Sequence, residues 1–336
     1  MEIENQENPI VNSALDEFVA RPFADTLQKI AEIKSECSKT IVGNHEIIDI
    51  MIACILCEGH ILLEGVPGIA KTLTAKSLAK TLDAKFSRIQ FTPDLMPTDI
   101  LGTSIYNTKE SVFIFQQGPI FSNIVLIDEI NRAPAKTQSA LFEVMEEHQV
   151  SFDGKSYSME FPFLVIATQN PIEQEGTYRL PEAQLDRFLI KLILTYPSMD
   201  EEIEILNKYI QTATTYALGQ IRPVIQPEDI RSIQKDLASV YVEPHIVSYI
   251  AQVVNETRNH TNLYLGASPR ASLAILKLAK VIAMMAERSF VIPDDVQYVA
   301  PFVLNHRILL TPEAEMRNIT TFDVISDILK NVEVPR

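Results

Sequence analysis

One segment of the chain has the residue types of a phosphate-binding loop. It comprises Gly65, Val66, Pro67, Gly68, Ile69, Ala70, Lys71 and Thr72, and Leu73 follows it. In such a loop, backbone N–H groups surround the phosphates, the lysine contacts the β- and γ-phosphates, and the last hydroxyl binds Mg²⁺. Ala70 replaces the usual last glycine, which is acceptable where that residue already has helical φ. An apolar strand pattern precedes the loop and a helical pattern follows it, so the segment predicts binding of ATP and Mg²⁺. A Gly/Pro turn with an incidental lysine is the alternative.

Two adjacent carboxylates follow another apolar strand pattern. That pattern spans residues 124–127, and Asp128 and Glu129 come directly after it. In a sheet that carries a phosphate loop, an aspartate at a strand end supports the Mg²⁺ shell, and a neighbouring glutamate is placed to orient and activate a water molecule. The pair therefore predicts hydrolysis of the nucleotide rather than transfer of phosphate to an acceptor. By itself, an Asp-Glu pair after a strand is usually the start of a helix.

Three further polar residues are candidates for contact with phosphate. Asn170 follows the apolar run at residues 163–168, where its amide would hydrogen-bond the γ-phosphate or the attacking water; an Asn-Pro pair equally favours a turn, and both interpretations stay open. Arg187 precedes the last strand pattern, and Arg270 lies in the first turn of a predicted helix. A cation there opposes the helix dipole, so Arg270 is expected to have an anionic partner. From the residues alone, either arginine is more often a surface ion pair.

Alternating strand and helix patterns predict the elements that hold these residues. The predicted strands lie at residues 60–64, 86–91, 124–127, 163–168 and 188–194. Strands that alternate with helices predict an α/β fold with a parallel sheet. Hairpin-like patterns at residues 105–116 and 149–161 are interpreted as insertions into this sheet. The predicted domains are an irregular and helical segment at 1–40, a nucleotide-binding core at 41–196 and a helical domain at 197–336.

Composition narrows the class of protein. The chain has 336 residues, of which 46% are hydrophobic, and a formal net charge of −15, which argues against a dedicated nucleic-acid binder. Cys54 and Cys57 lie in an apolar helical pattern and are interpreted as buried thiols. With Cys37 they make three cysteines, an odd number that is typical of a reducing compartment. The acidic N-terminus is not a signal peptide, and no stretch has the length of a membrane span. We therefore expect a cytoplasmic protein without direct membrane insertion.

Together, these motifs resemble those of the AAA+ ATPases and, within them, the MoxR family. The resemblance spans roughly residues 41–307. It is carried by Gly-Val-Pro-Gly-Ile-Ala-Lys-Thr at 65–72, Ile-Gln-Phe-Thr-Pro-Asp-Leu-Met-Pro-Thr-Asp-Ile at 89–100, Gly-Pro-Ile-Phe at 118–121, Asp-Glu-Ile-Asn-Arg-Ala at 128–133, Ala-Thr-Gln-Asn-Pro at 167–171, Glu-Gly-Thr-Tyr-Arg-Leu-Pro-Glu-Ala-Gln-Leu-Asp-Arg-Phe at 175–188 and Gly-Ala-Ser-Pro-Arg-Ala at 266–271. It implies a phosphate-loop αβα sandwich with a parallel five-stranded sheet, followed by a C-terminal all-helical lid domain.

The resemblance also implies roles for individual residues. Lys71 and Thr72 match Walker A, Asp128 and Glu129 match Walker B with Glu129 as the general base, and Mg²⁺ would be held by Thr72 and, through water, by Asp128. Val42 and Gly43 match the segment beside the adenine.

Three further residues match positions of the family pattern whose side chains contact the phosphates. Asn170 matches sensor 1, and Arg270 matches sensor 2 on the lid, which is expected to reach the nucleotide of its own chain. Arg187 matches the arginine finger, which would reach the ATP of a neighbouring subunit, and Arg179 is a second candidate for that role.

A cation supplied by a neighbour implies a homo-oligomer. We expect a hexameric ring with weak ATPase activity as a monomer. The resemblance further implies chaperone-like remodelling of protein clients with von Willebrand factor A domains, assisting their maturation or the insertion of a metal or cofactor. A nucleic-acid-dependent motor and a slow ATP/ADP regulatory switch are the alternatives.

Overall fold

The structure is a computed structural model that describes residues 23–43, 45–66, 71–170, 178, 180–212 and 217–335, with residues 211, 212, 217 and 218 described by their backbone alone. Residues 67–70 of the predicted phosphate loop, and Arg179, lie outside these ranges. Helices and strands are numbered over the described residues.

Five strands form one parallel sheet. They are β1 (Ile61–Gly65), β2 (Phe86–Gln90), β5 (Ile124–Asp128), β8 (Leu164–Gln169) and β9 (Ile190–Leu194). Their order across the sheet is β2-β5-β8-β1-β9, and every neighbouring pair is parallel. The predicted five-stranded parallel sheet is therefore confirmed. The last residues of the strands lie along one side, which we call the carboxyl edge, and the first residues lie along the opposite side, the amino edge.

The apolar strand patterns arise because the sheet is covered on both faces. All five residues of β5 are buried. Ile124 and Leu126 belong to one hydrophobic core, whereas Val125 and Ile127 belong to a second core on the other face. Strands buried on both faces have continuous rather than alternating apolar runs. This arrangement confirms the αβα sandwich.

Helices cover the two faces and join the strands. They are α1 (Ala24–Ser38), α2 (His45–Leu56), α3 (Lys71–Thr81), α4 (Pro97–Leu101), α5 (Ala135–Glu147) and α6 (Glu182–Leu185). Two antiparallel hairpins extend from the sandwich: β3 (Gly102–Asn107) with β4 (Val112–Gln117), and β6 (Gln149–Phe152) with β7 (Lys155–Ser158). Both lie within or beside the segments in which hairpins were predicted.

The remainder of the described chain is mainly helical. It contains α7 (Met199–Thr212), α8 (Pro227–Ser239), α9 (Pro244–Asn259), α10 (Pro269–Met285), α11 (Pro293–Leu304), α12 (Pro312–Met316) and α13 (Thr321–Asn331). Several begin with proline, whose fixed φ suits the first helical position. Two short strands, β10 (Leu263–Leu265) and β11 (Leu309–Leu310), pair in this region. They were not predicted, because such short segments have no measurable periodicity.

Candidate functional site

The lysine of the predicted phosphate loop lies at the carboxyl edge. Lys71 begins α3, and its Nζ donates to the carbonyl oxygen of Gly65 at 2.5 Å and of Gln169 at 3.3 Å. These two residues end the neighbouring strands β1 and β8. The ammonium group therefore lies between two strand ends, where a parallel sheet typically places its ligand.

The other loop residues that the structure describes lie beside it. Gly65 is buried at the end of β1, and Val66 is half-buried. Leu73 is half-buried in the first turn of α3. The predicted contacts of Pro67, Gly68, Ile69 and Ala70 fall outside the described residues.

Asp128 collects three hydrogen bonds at the same edge. It is the last residue of β5 and is buried. Its Oδ1 accepts from the hydroxyls of Thr72 at 3.3 Å and Thr168 at 3.2 Å, and its Oδ2 accepts from Arg88 Nε at 2.6 Å. Oxygen ligands of this kind suit Mg²⁺. The adjacent Thr72 and Asp128 oxygens therefore fit the predicted ion, while Arg88 balances the carboxylate charge.

Glu129 has an uncommon backbone conformation. Its φ is 59°, in the left-handed region, and its backbone N–H donates to the Thr168 hydroxyl at 3.0 Å. Its side-chain Oε2 accepts from Gln90 Nε2 at 2.9 Å and forms an ion pair with Arg132 Nε at 3.2 Å. A left-handed non-glycine residue costs free energy and often occurs at functional sites. The carboxylate is half-exposed and is held by two partners.

Two further predicted segments lie on this side of the molecule. Asn170 directly follows β8 and is buried. Val42 is buried, and Gly43 has φ +66° and faces Glu201 in the first turn of α7, the helix that follows β9. The left-handed φ of Gly43 favours glycine at this position, and a Cβ there would require the flexible Glu201 side chain to move.

The two predicted arginines lie together at the amino edge. Arg187 precedes β9, and the N–H of Leu189 in the same segment donates to the His60 carbonyl, just before β1, at 2.8 Å. Arg187 Nε forms an ion pair with Glu146 Oε2 at 2.7 Å, and Arg270 Nη2 donates to the other oxygen of the same carboxylate. Arg270 thus has the anionic partner that its place at a helix N-terminus predicted.

This position differs from the expectation that Arg270 reaches the nucleotide of its own chain. The five residues of β1 separate the two edges, which corresponds to roughly 16 Å at 3.3 Å per residue. The helix that carries Arg270 packs at the amino edge, since Ser268 at its N-cap donates to Asp186 Oδ2 at 2.8 Å. Sequence spacing could not reveal this, because it depends on which side of the sheet α10 packs against.

A buried arginine fixes the segment before β9. Arg307 Nε donates to Asp186 Oδ1 at 2.7 Å, and its Nη groups donate to the carbonyls of Phe188 at 2.6 Å and Leu189 at 3.0 Å. Burial lowers the pKa of Arg307, while the hydrogen bond to Asp186 opposes that shift. The arginine is paired and hydrogen-bonded, as a buried charge must be.

Buried titratable groups support the same edge. His60 Nε2 contacts the Met145 carbonyl at 3.1 Å, and its Nδ1 accepts from the Val165 N–H at 3.0 Å. Burial lowers the pKa of His60 to about 4. Burial raises the pKa of Cys57 to about 12, which disfavours its reactive thiolate form. Cys54 is buried as predicted, whereas Cys57 is only half-buried.

A cavity of about 320 Å³ opens at the amino edge. Its charged lining residues are Glu58, Glu146, Asp186, Arg187, Arg270, Lys277 and Arg307. Four of these residues are cations and three are carboxylates, so the lining has a small positive balance although the whole chain has a net charge of −15. Within the described ranges, no group of His, Cys, Asp and Glu residues is arranged to hold a metal, and no helix is long and apolar enough to cross a membrane.

Several residues of these clusters were missed by sequence reasoning. Arg88 and Gln90 point from one side of β2 at Asp128 and Glu129, and their alternation with apolar residues was the available signal. No local sequence pattern marked Glu146 or Arg307, because their partners are distant in sequence.

Comparisons with known proteins agree with this architecture. A family model described as "ATPase family associated with various cellular activities (AAA)" matches residues 60–190, and a model of the AAA lid domain matches residues 255–328. A crystal structure of a protein from Cytophaga hutchinsonii, described as a candidate ATPase, has 41% sequence identity and a TM-score of 0.85. The match covers 98% of this chain and 100% of that chain.

Two bacterial proteins are similar over most of their length. The chain is 47% identical to the uncharacterized protein YeaC of Bacillus subtilis over 298 residues, which covers 89% of this chain and 92% of that protein. It is 45% identical to the chaperone MoxR1 of Mycobacterium tuberculosis over 310 residues, which covers 90% of this chain and 81% of that protein. With the sheet, the helical C-terminal region and both family matches, these similarities show that the chain belongs to the MoxR family of AAA+ ATPases.

Proposed function

We propose that this protein hydrolyses ATP with Mg²⁺ and uses the energy to remodel protein clients. The observation that supports hydrolysis best is the convergence of three separate chain segments at the carboxyl edge. Lys71 and Thr72 come after β1, Asp128 and Glu129 lie at the end of β5, and Asn170 follows β8, with Thr72 hydrogen-bonded to Asp128. ATP hydrolysis needs a cation, a pair of oxygens suited to Mg²⁺, a carboxylate and an amide.

Each group has a defined task in the proposed reaction. Lys71 would exchange its contacts with backbone carbonyls for contacts with phosphate oxygens. Thr72 and Asp128 would hold Mg²⁺, which when bound neutralises negative charge on the phosphates. Asn170 would hydrogen-bond the γ-phosphate or the attacking water.

Glu129 would orient the attacking water and accept its proton. Its Oε2 accepts from Gln90 and pairs with Arg132, and a carboxylate has further acceptor positions at which it can contact water beside these two partners. The same contacts favour a second candidate function, a switch between ATP and ADP forms with slow turnover. The two candidates differ in turnover number, with and without a client.

The position of Arg187 supports a ring. It lies at the amino edge, away from the carboxyl-edge groups of its own chain, so only the nucleotide of another subunit is within its reach. An interface that joins two different surfaces closes into a ring when the rotation permits, and we propose a hexamer. Arg270 lies beside Arg187, and we propose that it too acts on the neighbour's nucleotide. Arg179 remains the alternative finger.

An exposed hairpin supports a protein client. In the β3–β4 hairpin, Tyr106 and Phe113 are 49% and 70% exposed, with their rings 5.1 Å apart. Apolar surface of this kind favours protein contacts, and Lys109 is the sole base between the two strands. A von Willebrand factor A domain client and a cytoplasmic location are part of the same proposal. All three cysteines are free thiols, as a reducing compartment would leave them.

The test is ATP turnover by the wild-type protein and by Lys71→Ala. The proposal predicts Mg²⁺-dependent phosphate release that Lys71→Ala abolishes. Equal rates for the two proteins would show that the activity comes from a contaminant or from another site. For the client, a pull-down with Glu129→Gln in ATP should retain a protein that Lys71→Ala does not retain.

A further inference from the structure

The carboxylate of Glu146 lies between two cations that are distant in sequence. One oxygen pairs with Arg187 Nε at 2.7 Å, and the other accepts from Arg270 Nη2. The three side chains are 31%, 30% and 49% exposed in the order Glu146, Arg187, Arg270. Both arginine side chains are therefore partly accessible from outside the subunit, while the carboxylate contacts both.

Two guanidinium groups that share one carboxylate form a unit with a net positive charge. Without the carboxylate, the two cations would repel each other, and each long side chain would sample many rotamers. Arginine has five N–H donors in a fixed planar arrangement, so a guanidinium can bind Glu146 and still present donors to a second anion. The pair is thus preorganised to bind an anion that approaches the amino edge.

The helix that carries Glu146 provides a second contact. Phe142 lies one turn earlier on α5, and the guanidinium carbon of Arg187 is 5.8 Å from the centre of its ring. Residues four apart share one face of a helix. Arg187 is therefore held by an apolar ring and a carboxylate from the same face of α5.

Hydrogen bonds also connect the two chain segments that carry these arginines. Asp186, next to Arg187, accepts from the hydroxyl of Ser268 at 2.8 Å and from Arg307 Nε at 2.7 Å. Ser268 is the N-cap of α10, two residues before Arg270. The chain segments that carry the two arginines are therefore connected through Asp186 and Ser268, and the arginine side chains are connected through Glu146.

We infer that Glu146 is a positioning residue that holds Arg187 and Arg270 as one paired receptor for the phosphates bound to a neighbouring subunit. This inference rests on the proposed function, since the receptor acts on the ATP of the next subunit. Glu146 itself touches neither substrate nor Mg²⁺; it acts through the two arginines. Its charge is needed to hold the pair, and its removal lets them separate.

The first test compares Glu146→Ala with Glu147→Ala, a matched change at the next position of α5, whose side chain is exposed. At assembled concentrations we expect Glu146→Ala to lower kcat about tenfold, as for a misplaced positioning group. The KM for ATP should stay within about twofold, because the carboxyl edge of each subunit is intact. Glu147→Ala should match the wild type. A kcat for Glu146→Ala equal to or above that of the wild type would overturn the inference.

A double-mutant cycle separates positioning from a general loss of stability. If Glu146 acts through the arginines, Glu146→Ala should cause no further loss in an Arg187→Ala, Arg270→Ala background. An additional tenfold loss there would contradict the inference. Glu146→Gln, which keeps the size of the side chain, serves if the alanine variant folds poorly, and it should also lower kcat because the amide lacks the charge.

The decisive test is complementation between subunits. Lys71→Ala subunits have intact arginines and an inactive nucleotide site, whereas Glu146→Ala subunits have the reverse. Mixing them should restore turnover above the sum of the separate rates. An Arg187→Ala and Lys71→Ala mixture is the positive control. If that control restores activity and the Glu146→Ala mixture does not, Glu146 does not act across the interface.

The outcomes also distinguish this inference from the proposed function. If the wild-type protein does not hydrolyse ATP, both fail together. If the wild type is active and Arg187→Ala is inactive, but Glu146→Ala has wild-type activity, only the inference fails.

Discussion

The two edges of the sheet hold opposite charges in different ways. At the carboxyl edge, Asp128 ends one strand and Glu129 follows it directly, and their partners Arg88 and Gln90 come from the adjacent strand. At the amino edge, Glu146, Arg187 and Arg270 come from three elements far apart in the chain. The first cluster is built by strand register, and the second by packing of helices against the sheet. One edge has the residue types suited to Mg²⁺ and phosphate, and the other has the two arginines that we propose act on a neighbouring subunit.

The largest effect is expected at the amino edge. Arg187→Ala removes a cation that would stabilise the transition state in a neighbouring subunit, so turnover of the assembled protein should fall about 10³-fold. Nucleotide affinity should change little, because the carboxyl edge is untouched. Steady-state phosphate release at assembled concentrations checks this, with ring formation verified by light scattering. Undiminished turnover would assign the trans role to another residue, such as Arg179.

A second change at the amino edge should act on folding. Arg307→Met removes the guanidinium that holds Asp186 and the carbonyls before β9, and it leaves the half-buried Asp186 carboxylate without its cationic partner. We expect a loss of about 3 kcal/mol in the free energy of unfolding, measured by urea denaturation. The exposed Arg317→Met is the matched control and should change stability by less than about 0.5 kcal/mol. Equal effects of the two changes would contradict the role of Arg307.

At the carboxyl edge, Glu129→Gln should separate binding from chemistry. It removes the group that accepts a proton from water, so turnover should fall about 10²-fold. The affinity for ATP should remain, because the phosphates contact other residues. Calorimetric titration with ATP and steady-state turnover test both statements. Loss of affinity together with turnover would mean that Glu129 binds nucleotide rather than activating water.

The smallest effect is a pH dependence that comes from the amino edge. His60 has a pKa lowered to about 4 by burial, against 6.5 for an ordinary histidine. Between these values the unfolded chain binds more protons than the folded chain. The contribution of His60 to the free energy of unfolding is therefore fully present above pH 6.5 and is lost as the pH falls. From pH 7 to pH 5 we expect a loss of about 2 kcal/mol from this group. His60→Gln should show a smaller dependence in urea denaturation, and an unchanged dependence would assign it elsewhere.

The sequence predicted the carboxyl edge far better than the amino edge. Each strand of the sheet is a continuous apolar run, and the polar residues that follow β1, β5 and β8 must meet where parallel strands end. Asp128 and Glu129 were accordingly recognised from a six-residue pattern. The positions of Asn170 and Arg187 follow from the parallel strands as well, because Asn170 comes after one strand and Arg187 comes before another.

What the sequence could not give depends on tertiary packing. The helix that begins at Pro269 could have packed toward either edge, and its pattern of apolar residues is the same in both cases. Arg270 was therefore expected beside the nucleotide of its own chain, whereas α10 packs at the amino edge. Glu146 looks like any exposed glutamate near the end of a helix, and its partners lie 41 and 124 residues away.

In the proposed ring, each nucleotide site at a carboxyl edge is completed by cations from the amino edge of another subunit. The most direct measurement is turnover per subunit as a function of protein concentration, with Arg187→Ala measured in parallel. We expect wild-type turnover per subunit to rise steeply as the ring assembles, while that of the variant stays at the low monomer rate. Turnover per subunit that is constant across dissociated and assembled protein would contradict it.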